Sequence, residues 1–501
     1  MRTFGGWTVP REEGLFGLTM PMTIALLVWL IGLIVIGRMV GLGPMALWAL
    51  IGLVAGAAML IKVEGRTLLE WMGLKMGFKR DKKKGLTSYR SGPFSKIPGG
   101  HYQLPGVAGK LDMYSALTSG DEAFGMLHYP GRDEYTVMLE VWPQGLGMQD
   151  EDVVDGWVDQ WGAAMASFGD DADVVGAAAV VDTFPSSGMR VRNEVVRITK
   201  DTSPALAQEI MVEAGQLQSN QSIDMQAWLS ITVKANTATK KSDPEAAAED
   251  LGIRMQFFRN RLDQSGVRAR PMSSDEMVMV TKRSYSPSSQ VDMEAASQEP
   301  GGHGVEWIDA GPESAEQTET TYTHDGAVSA VWEMRTPPRG YVPQHVLRSL
   351  MSKNEDVPFK RVAICYRPHS GAEAAKIVDR DANNKREKVK QERQHRKTAR
   401  ASSERDAVAA DQARHAEALG HGLTRFGMLI TVTEPAPSLQ EDGSMSELKL
   451  PNAEEVMKSL TQRARMQIRR RYASQQISFA AGLGIGVLIP EHLSVTAKTQ
   501  A

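Results

Sequence analysis

The sequence predicts an α/β fold, of the α+β kind with ferredoxin-like repeats, in cytoplasmic domains preceded by a transmembrane helical hairpin. Two observations carry this prediction. The amino-terminal part contains two long apolar runs, and the chain after Gly85 alternates between strand-like and helix-like patterns. The average composition alone would not reveal these two features. A chain of 501 residues with a formal net charge of −3 and 42% hydrophobic residues is typical of a soluble protein.

The two apolar runs lie at residues 14–37 and 39–61, and Arg38 is the single charged residue within 14–61. About 20 apolar helical residues cross a bilayer core, so each run is long enough for one span. Backbone in lipid must satisfy its own hydrogen bonds, which favours helices. We therefore expect a cytoplasmic segment at 1–13, followed by a two-helix transmembrane hairpin.

Two other interpretations of these runs are a cleaved signal peptide and a buried core hairpin. A signal peptide begins with basic residues and contains a short apolar stretch. Here acidic Glu12 and Glu13 precede a long run, and a second run follows at once. The sequence therefore favours the transmembrane interpretation.

Residues 62–100 form a basic juxtamembrane segment, in which lysine and arginine outnumber acidic residues. The positive-inside rule places such a flank and the chain after it in the cytoplasm, and two spans return the amino terminus to the same side. This predicts a multi-pass protein of the cytoplasmic membrane with both termini cytoplasmic. The alternative for this segment is a charged linker in solvent. Side chains predicted to touch anionic headgroups are Lys79, Arg80, Lys82, Lys83 and Lys84.

A first α/β domain is predicted at 101–283, where segments rich in β-formers alternate with segments of helical spacing. The predicted strands are Glu134–Val141, Val174–Asp182, Met189–Thr199 and Ala227–Ala235. The predicted helices are Asp150–Phe168, Pro204–Gln216 and Asp243–Gln264. Alternation of this kind favours a layered fold over an all-β fold or a helix bundle.

An acidic flexible loop is predicted at 284–320, before a second α/β domain at 321–501. Ser284–Met334 contains no lysine or arginine, and its first part is rich in Ser, Gln, Pro and Gly. The second domain opens with a hairpin whose turn is Asp325-Gly326. Its further elements are predicted at Phe359–Tyr366, Leu423–Val432 and Ala453–Arg471.

A long charged helix is predicted at 372–419, because this stretch contains no glycine or proline. A helix of this length would project beyond a compact domain. Its first half is basic and could contact nucleic acid or acidic lipid, although a solvated helix face is the more frequent explanation. The basic residues concerned are Lys385, Arg386, Lys388, Lys390, Arg393, Arg396 and Lys397.

The sequence contains no pattern that predicts catalysis. A P-loop needs Gly-x-x-x-x-Gly-Lys-Ser/Thr, but the candidate around Lys110 has leucine at the first and last positions. The histidines lack metal-ligand spacing. Cys365 and His369 are close in sequence on a predicted strand, whereas a nucleophile and its base normally meet through the fold. We therefore expect no enzyme activity, no cofactor and no metal site.

Several stretches together carry a family resemblance: His101–Gly106, Glu134–Val141, Trp157–Trp161, Ala330–Arg339, Phe359–Pro368, Ala418–Phe426 and Ser478–Leu483. They resemble an actinobacterial family of membrane proteins encoded with conjugative, type IV secretion genes. In that family two amino-terminal spans precede a domain similar to the non-ATPase amino-terminal domain of the conjugation ATPase. The ATPase is a separate polypeptide, and the resemblance implies no catalytic residues.

The resemblance implies a cytoplasmic-membrane scaffold that anchors or docks a separate secretion ATPase at the export channel of a type IV-like conjugative system. The implied partners are membrane lipid, that ATPase and other channel subunits, with indirect contact to DNA, within an oligomeric complex. Two alternatives stay open. One is a component of another actinobacterial, type VII-like exporter, and the other is a membrane-anchored enzyme with an unrecognised site.

Overall fold

The structure is a computed structural model, and it divides into two compact units, Thr8–Leu86 and a larger unit of Met1–Trp7 with Thr87–Thr499. The first strand of the larger unit is β1 (Thr3–Phe4). The structure describes residues 3–4, 7, 20–39, 41–60, 62–63, 66–145, 149–171, 173–199, 204–219, 222–338, 340–396, 401–420, 422–438, 446 and 448–489.

The smaller unit is mainly helical. Its elements are α1 (Met20–Met39), α2 (Leu42–Leu60), β2 (Lys62–Val63), β3 (Arg66–Thr67) and α3 (Leu68–Lys83). In the pair formed by α1 and α2, the indole N–H of Trp29 donates to the carbonyl of Trp48 at 3.1 Å. The indole of Trp48 donates to the carbonyl of Trp29 at 3.2 Å. These reciprocal hydrogen bonds hold the two helices side by side.

The transmembrane hairpin predicted at 14–61 is wrong. Among the residues that the structure describes, no helix combines the length and the hydropathy needed to cross a membrane. Within the described residues, α1 (Met20–Met39) has the charged Arg38 in its last turn, and α2 (Leu42–Leu60) has Gly43 and Pro44 in its first turn. The predicted multi-pass location in the cytoplasmic membrane depended on this hairpin and is corrected with it.

The larger unit is built on one antiparallel sheet, which contains thirteen strands within the described residues. They are β4 (Ser88–Arg90), β5 (Asp112–Leu117), β6 (Ala123–Tyr129), β7 (Glu134–Pro143), β8 (Val174–Pro185), β9 (Ile223–Lys234), β10 (Val267–Pro271), β11 (Ser314–Gln317), β12 (Tyr322–His324), β13 (Ala327–Thr336), β15 (Lys360–His369), β16 (Leu423–Pro435) and β17 (Gln467–Arg470). A further strand, β14 (Val342–Pro343), pairs with β1. The corrected fold class is therefore a mixed helix–sheet protein with a large antiparallel sheet, and its described helices include none able to span a membrane.

Helices cover the sheet or project from it. They are α4 (Glu151–Asp170), α5 (Met189–Ile198), α6 (Ala205–Ser219), α7 (Ala238–Ser242), α8 (Pro244–Gln264), α9 (Ser274–Tyr285), α10 (Gln290–Ala296), α11 (Arg348–Met351), α12 (Gly371–Arg396), α13 (Ala401–Ala418), α14 (Leu450–Arg463) and α15 (Gln475–Gly482). α9 begins with a capping box, in which the Ser273 hydroxyl accepts from the Glu276 N–H and the Glu276 carboxylate accepts from the Ser273 N–H.

The sheet repeats one arrangement twice. Its strand order is β4-β11-β12-β13-β16-β15-β8-β9-β7-β6-β5, with β10 added to β7 and β17 added to β13. In the first half the β6–β7 hairpin is followed by α4, β8, α5, α6, β9, α7, α8, β10 and α9. In the second half the β12–β13 hairpin is followed by β14, α11, β15, α12, α13, β16, α14, β17 and α15. The two halves join at the centre, where β8 pairs antiparallel with β15.

A buried charged triad lies at this junction. Asp182 on β8 faces Arg361 on β15, and its Oδ1 accepts from Arg361 Nε at 3.2 Å. Its Oδ2 accepts from Nη2 of Arg283, on α9, at 3.1 Å. The three side chains are at most 4% exposed. One carboxylate thus connects both central strands with a helix that covers them.

Apolar side chains pack on both faces of the sheet. One face is covered by α9 and α15, and its core includes Trp228, Met277 and Phe479. On the opposite face, α4 and α8 cover the first half, where the rings of Phe168 and Phe258 meet edge to face. α14 covers the second half on that same face. Because successive side chains of a strand point to opposite faces of the sheet, the same strands contribute to the cores on both faces.

His324 on β12 is buried among aromatic rings of the first of these cores. Its Nδ1 lies 2.6 Å from the carbonyl oxygen of Tyr285, and its Nε2 lies 2.8 Å from the hydroxyl of Ser329. Burial is the main cause that lowers the pKa of His324 to about 4. The imidazole is therefore neutral at pH 7, which suits a donor at Nδ1 and an acceptor at Nε2.

Several element predictions can be compared with the structure directly. The strands predicted at Glu134–Val141 and Ala227–Ala235 and the helix predicted at Pro204–Gln216 are confirmed. The strand predicted at Met189–Thr199 is wrong, because α5 occupies this segment. Its alternation of apolar and charged residues looked like a strand with one exposed face, but the segment pairs with no strand in the described part of the chain.

The structure of two longer segments also differs from the prediction made for each of them. The single helix predicted at 372–419 is wrong, because α12 (Gly371–Arg396) and α13 (Ala401–Ala418) lie side by side, with Arg386 paired with Asp411 at 2.8 Å. Residues 397–400 lie outside the described residues. The acidic segment 284–320 contains α10, a 3-10 turn at Trp307–Asp309 and β11. Trp307 is buried there, and its indole N–H donates to the carbonyl of Leu111 at 2.8 Å.

Replacing Asp182 with alanine should lower the free energy of unfolding by about 3 to 5 kcal/mol, because two buried guanidinium groups then lose their shared carboxylate. Urea unfolding followed by circular dichroism measures this. Glu404→Ala is the matched control, since it removes an exposed carboxylate from Arg393 and should cost about 1 kcal/mol or less. An Asp182 variant as stable as the Glu404 variant would show that the triad does not hold the two halves together.

Stability should fall as the pH drops from about 6.5 to about 4, because His324 in the unfolded chain binds a proton over this range and the folded imidazole does not. The folded pKa is lowered, so the contribution of this group is fully present above pH 6.5. It is lost on acidification, by about 3 kcal/mol in total. Urea midpoints across this pH range should decline less steeply in His324→Gln. An identical pH dependence in both proteins would contradict the assignment.

Candidate functional site

Two helical hairpins project from opposite ends of the central strands. α5 and α6 follow the end of β8, and α12 and α13 follow the end of β15. Because these strands are antiparallel, with Lys360 opposite Thr183 and Tyr366 opposite Ala177, they end at opposite edges of the sheet. The larger unit therefore presents one helical hairpin at each end of its centre.

The hairpin of α5 and α6 is fixed at its base by the strands on either side. The N–H of Ser186 donates to the carbonyl of Ser222 at 2.9 Å, and the Ser186 hydroxyl donates to Asp224 at 2.8 Å. Gly188 leads the chain into α5 with φ of 71°, a conformation that favours glycine. These contacts set the direction in which the two helices leave the sheet.

This hairpin exposes large apolar side chains, which we call the apolar surface: Val196 (75% exposed), Ile198 (47%), Leu206 (68%), Ile210 (55%) and Val212 (49%). Leu206 and Ile210 are four residues apart and therefore share one face of α6. Single exposed apolar residues are ordinary on any protein. Several on one hairpin are typical of a surface that another molecule covers.

The charges beside the apolar surface are acidic on α6. Glu209 and Glu213 are the ionisable residues of this helix, and both are exposed. On α5, Arg197 pairs with Glu194 at 2.6 Å. At about 100° per residue, Glu209 and Glu213 lie on the same face of α6 as Leu206 and Ile210, so a molecule that covers this face would meet apolar and acidic side chains together.

The hairpin of α12 and α13 is charged instead. Arg386 on α12 pairs with Asp411 on α13 at 2.8 Å, and Arg393 pairs with Glu404 at 2.9 Å. These ion pairs lie between the two helices. The positive charge that the sequence concentrates in α12 is thus partly neutralised by α13, which weakens its attraction for phosphate groups.

The basic residues predicted to contact nucleic acid or lipid follow α12 along its length. Lys390 lies 3.9 Å from Glu387 of the same helix. Contact of this helix with nucleic acid stays a prediction. The helix contains Lys385, Arg386, Lys388, Lys390, Arg393 and Arg396, and Lys397 lies outside the described residues.

The basic cluster predicted to touch a membrane surface lies at the carboxyl end of α3. That helix begins with a capping box between Thr67 and Glu70. Basic side chains at the last turn interact favourably with the partial negative charge of a helix carboxyl terminus, which gives them a structural role as well. Their contact with anionic headgroups stays a prediction. Lys79, Arg80, Lys82 and Lys83 belong to the helix, Lys84 is its cap, and all are exposed.

Cys365 and His369, considered for catalysis, both lie on β15. Burial raises the pKa of the Cys365 thiol, which disfavours the reactive thiolate. His369 pairs with Glu373 at 3.6 Å, and burial is the main cause that lowers its pKa. In the part of the chain that the structure describes, no group of three His, Cys, Asp or Glu side chains could hold a metal ion.

Sequence reasoning missed the apolar surface because two of its five residues, Val196 and Ile198, lie in a segment assigned to a strand. Once Met189–Thr199 is read as a strand, its apolar residues are expected to face a core. A usable signal was present in α6, where Leu206 and Ile210 share a face next to Glu209 and Glu213. The triad around Asp182 was missed as well, since it joins residues far apart in the sequence.

A family model described as "Domain of unknown function (DUF8461)" matches residues 11–70. This stretch includes α1 and α2 and reaches the start of α3, and it lies outside the sheet and both projecting hairpins. No curated protein matches the chain. The comparisons therefore give no support to a membrane, secretion or conjugation role.

Proposed function

We propose that the protein is a non-catalytic docking component, which binds a separate ATPase through the apolar surface of α5 and α6. The observation that carries this proposal is the exposure of large apolar side chains on one projecting hairpin. Water in contact with these side chains is unfavourable, and a partner that covers them removes that cost. Burial of one such side chain contributes about 1.5 to 3 kcal/mol, so a few suffice for specific binding.

The position of the hairpin supports a docking role. It leaves the sheet at the end of β8, while the charged hairpin leaves at the end of β15 on the opposite edge. Two projections with different surface chemistry allow one chain to bind different partners at the same time. A rigid sheet between them would keep such partners at a fixed separation.

The chemistry of the apolar surface also restricts the partner. The acidic side chains Glu209 and Glu213 lie among the apolar ones on this face of α6, which favours a partner surface that combines apolar with basic side chains. The family resemblance makes a separate ATPase of a type IV-like system the partner to test first. The choice of partner is supported by the family resemblance, whereas the choice of binding surface is supported by the exposed apolar side chains.

Leu206→Asp with Ile210→Asp should weaken binding of that ATPase at least tenfold, which corresponds to about 1.4 kcal/mol or more. Both side chains are exposed, so the double variant should fold and keep its melting temperature. Biolayer interferometry with the purified full-length chain and the purified ATPase encoded in the same genome measures the affinity.

Val408→Asp is the matched control, because Val408 is 57% exposed on α13 of the other hairpin. It should change the affinity by less than about twofold. If the ATPase still binds the α6 variant but no longer binds the Val408 variant, the contact lies on the hairpin of α12 and α13, which would contradict the proposal. A full-length chain with no affinity for the ATPase would contradict the proposed partner.

A further inference from the structure

A basic cleft with a volume of about 530 Å³ lies between the segment that contains β14 and α11 and the carboxyl end of α14. The side chains that matter are basic: His345, Arg348, Arg463 and Arg465. No acidic residue belongs to the lining, which consists of Pro343, His345, Val346, Arg348, Ser349, Ser352, Arg463 and Arg465. The cleft thus combines a concave shape with an excess of positive charge.

The arginines of this cleft differ from the arginines that follow them in the chain. Arg469 and Arg471 both pair with Glu333, and Arg470 pairs with Glu454 at 3.1 Å. These three hold β17 and its neighbours in place and have a structural explanation.

Arg348, Arg463 and Arg465 have no such explanation, since none of them pairs with a carboxylate within the described residues. All three are exposed and line the same cleft, so their positive charges act together there. Arg463 lies at the carboxyl end of α14, where the partial negative charge of the helix stabilises a cation. Arg348 lies at the start of α11 and lacks this interaction. An anion from outside the protein would neutralise all three.

Arg465 is held in an uncommon backbone conformation. Its φ of 52° lies in the left-handed region, which side chains other than glycine rarely adopt. Its Nη1 donates to the carbonyl of Tyr341 at 3.3 Å. Glycine would be the ordinary residue just after a helix such as α14, so the arginine at this position runs against the local preference.

An exposed aromatic ring lies next to the basic cleft. The side chain of Tyr341 is 64% exposed, and its carbonyl oxygen accepts from Arg465. A basic groove with an accessible aromatic ring is the arrangement that binds single-stranded nucleic acid. Phosphate groups pair with the cations there, and a base stacks on the ring.

We propose that the basic cleft binds the phosphate groups of a single-stranded nucleic acid, with one base stacked on Tyr341. Arg348, Arg463 and Arg465 pair with phosphate oxygens, a geometry that suits guanidinium groups. We expect little dependence on base sequence, because the arginines pair with phosphate groups and an aromatic ring stacks on any base. A free polyphosphate offers the same phosphate chemistry and is the other source to be distinguished.

Fluorescence anisotropy of a fluorescein-labelled dT12 oligonucleotide with the full-length chain tests this proposal. Three phosphate contacts predict a slope of about −2 for the logarithm of the association constant against the logarithm of salt concentration. Arg348→Gln with Arg463→Gln should weaken binding at least tenfold and make the slope shallower by about 1.4. Tyr341→Ala should weaken binding with little change in slope, because it removes stacking and no charge.

Arg465→Gly separates the binding role from a structural one. Glycine fits the positive φ of this position, so the melting temperature should stay the same or rise, while affinity for dT12 falls at least threefold. Arg405→Gln with Lys234→Gln removes two exposed cations from other elements and should change the affinity by less than twofold.

Loss of dT12 binding in the cleft variants, with the control variant unchanged, supports the proposal. The chain could instead bind tripolyphosphate but not dT12, and lose tripolyphosphate binding in the cleft variants. That result would show that the cleft binds phosphate groups and would overturn nucleic acid as its ligand. Binding that depends on Lys385 and Lys390 of α12 and is unaffected by the cleft variants would overturn the cleft. The proposal would also be overturned if neither dT12 nor tripolyphosphate bound to the chain.

Discussion

The two halves of the sheet depend on one buried carboxylate. Asp182 binds Arg361 across the central strand pair and Arg283 on the covering helix. Buried guanidinium groups without that partner would cost several kcal/mol, so the three residues must meet in the folded chain. The triad also fixes register, because a slip of one residue between β8 and β15 would turn Asp182 to the opposite face of the sheet.

The register of the central strands decides where the interaction surfaces lie. Because β8 and β15 run in opposite directions, the helical hairpins that follow them leave at opposite edges. One hairpin carries an apolar surface, and the other carries ion pairs between its helices. The basic cleft beside α14 belongs to the same unit and has a third kind of chemistry. A protein that joins partners would use such a division, with each surface suited to a different molecule.

Local patterns in the sequence predicted some elements and failed where tertiary contacts decide. The strand at 134–141 and the helix at 204–216 were predictable, because their apolar spacing reflects burial or helix formation directly. The segment 189–199 was not, since its alternation fits an amphipathic helix as well as a strand. The cleft could not be predicted either, because Arg348 and Arg463 come together through the fold alone. Apolar composition predicted membrane spans at 14–61, whereas no helix among the described residues combines the length and the hydropathy needed to cross a membrane.

A protein partner that covers the apolar surface of α5 and α6 would protect its amides from solvent. Hydrogen–deuterium exchange of the full-length chain, with and without the ATPase, measures this protection. We predict that amides of Ala205–Ser219 exchange more slowly in the complex, while those of Ala401–Ala418 on the charged hairpin do not change. A complex in which Ala205–Ser219 exchanges at the rate of the free chain would show that the partner does not cover this surface.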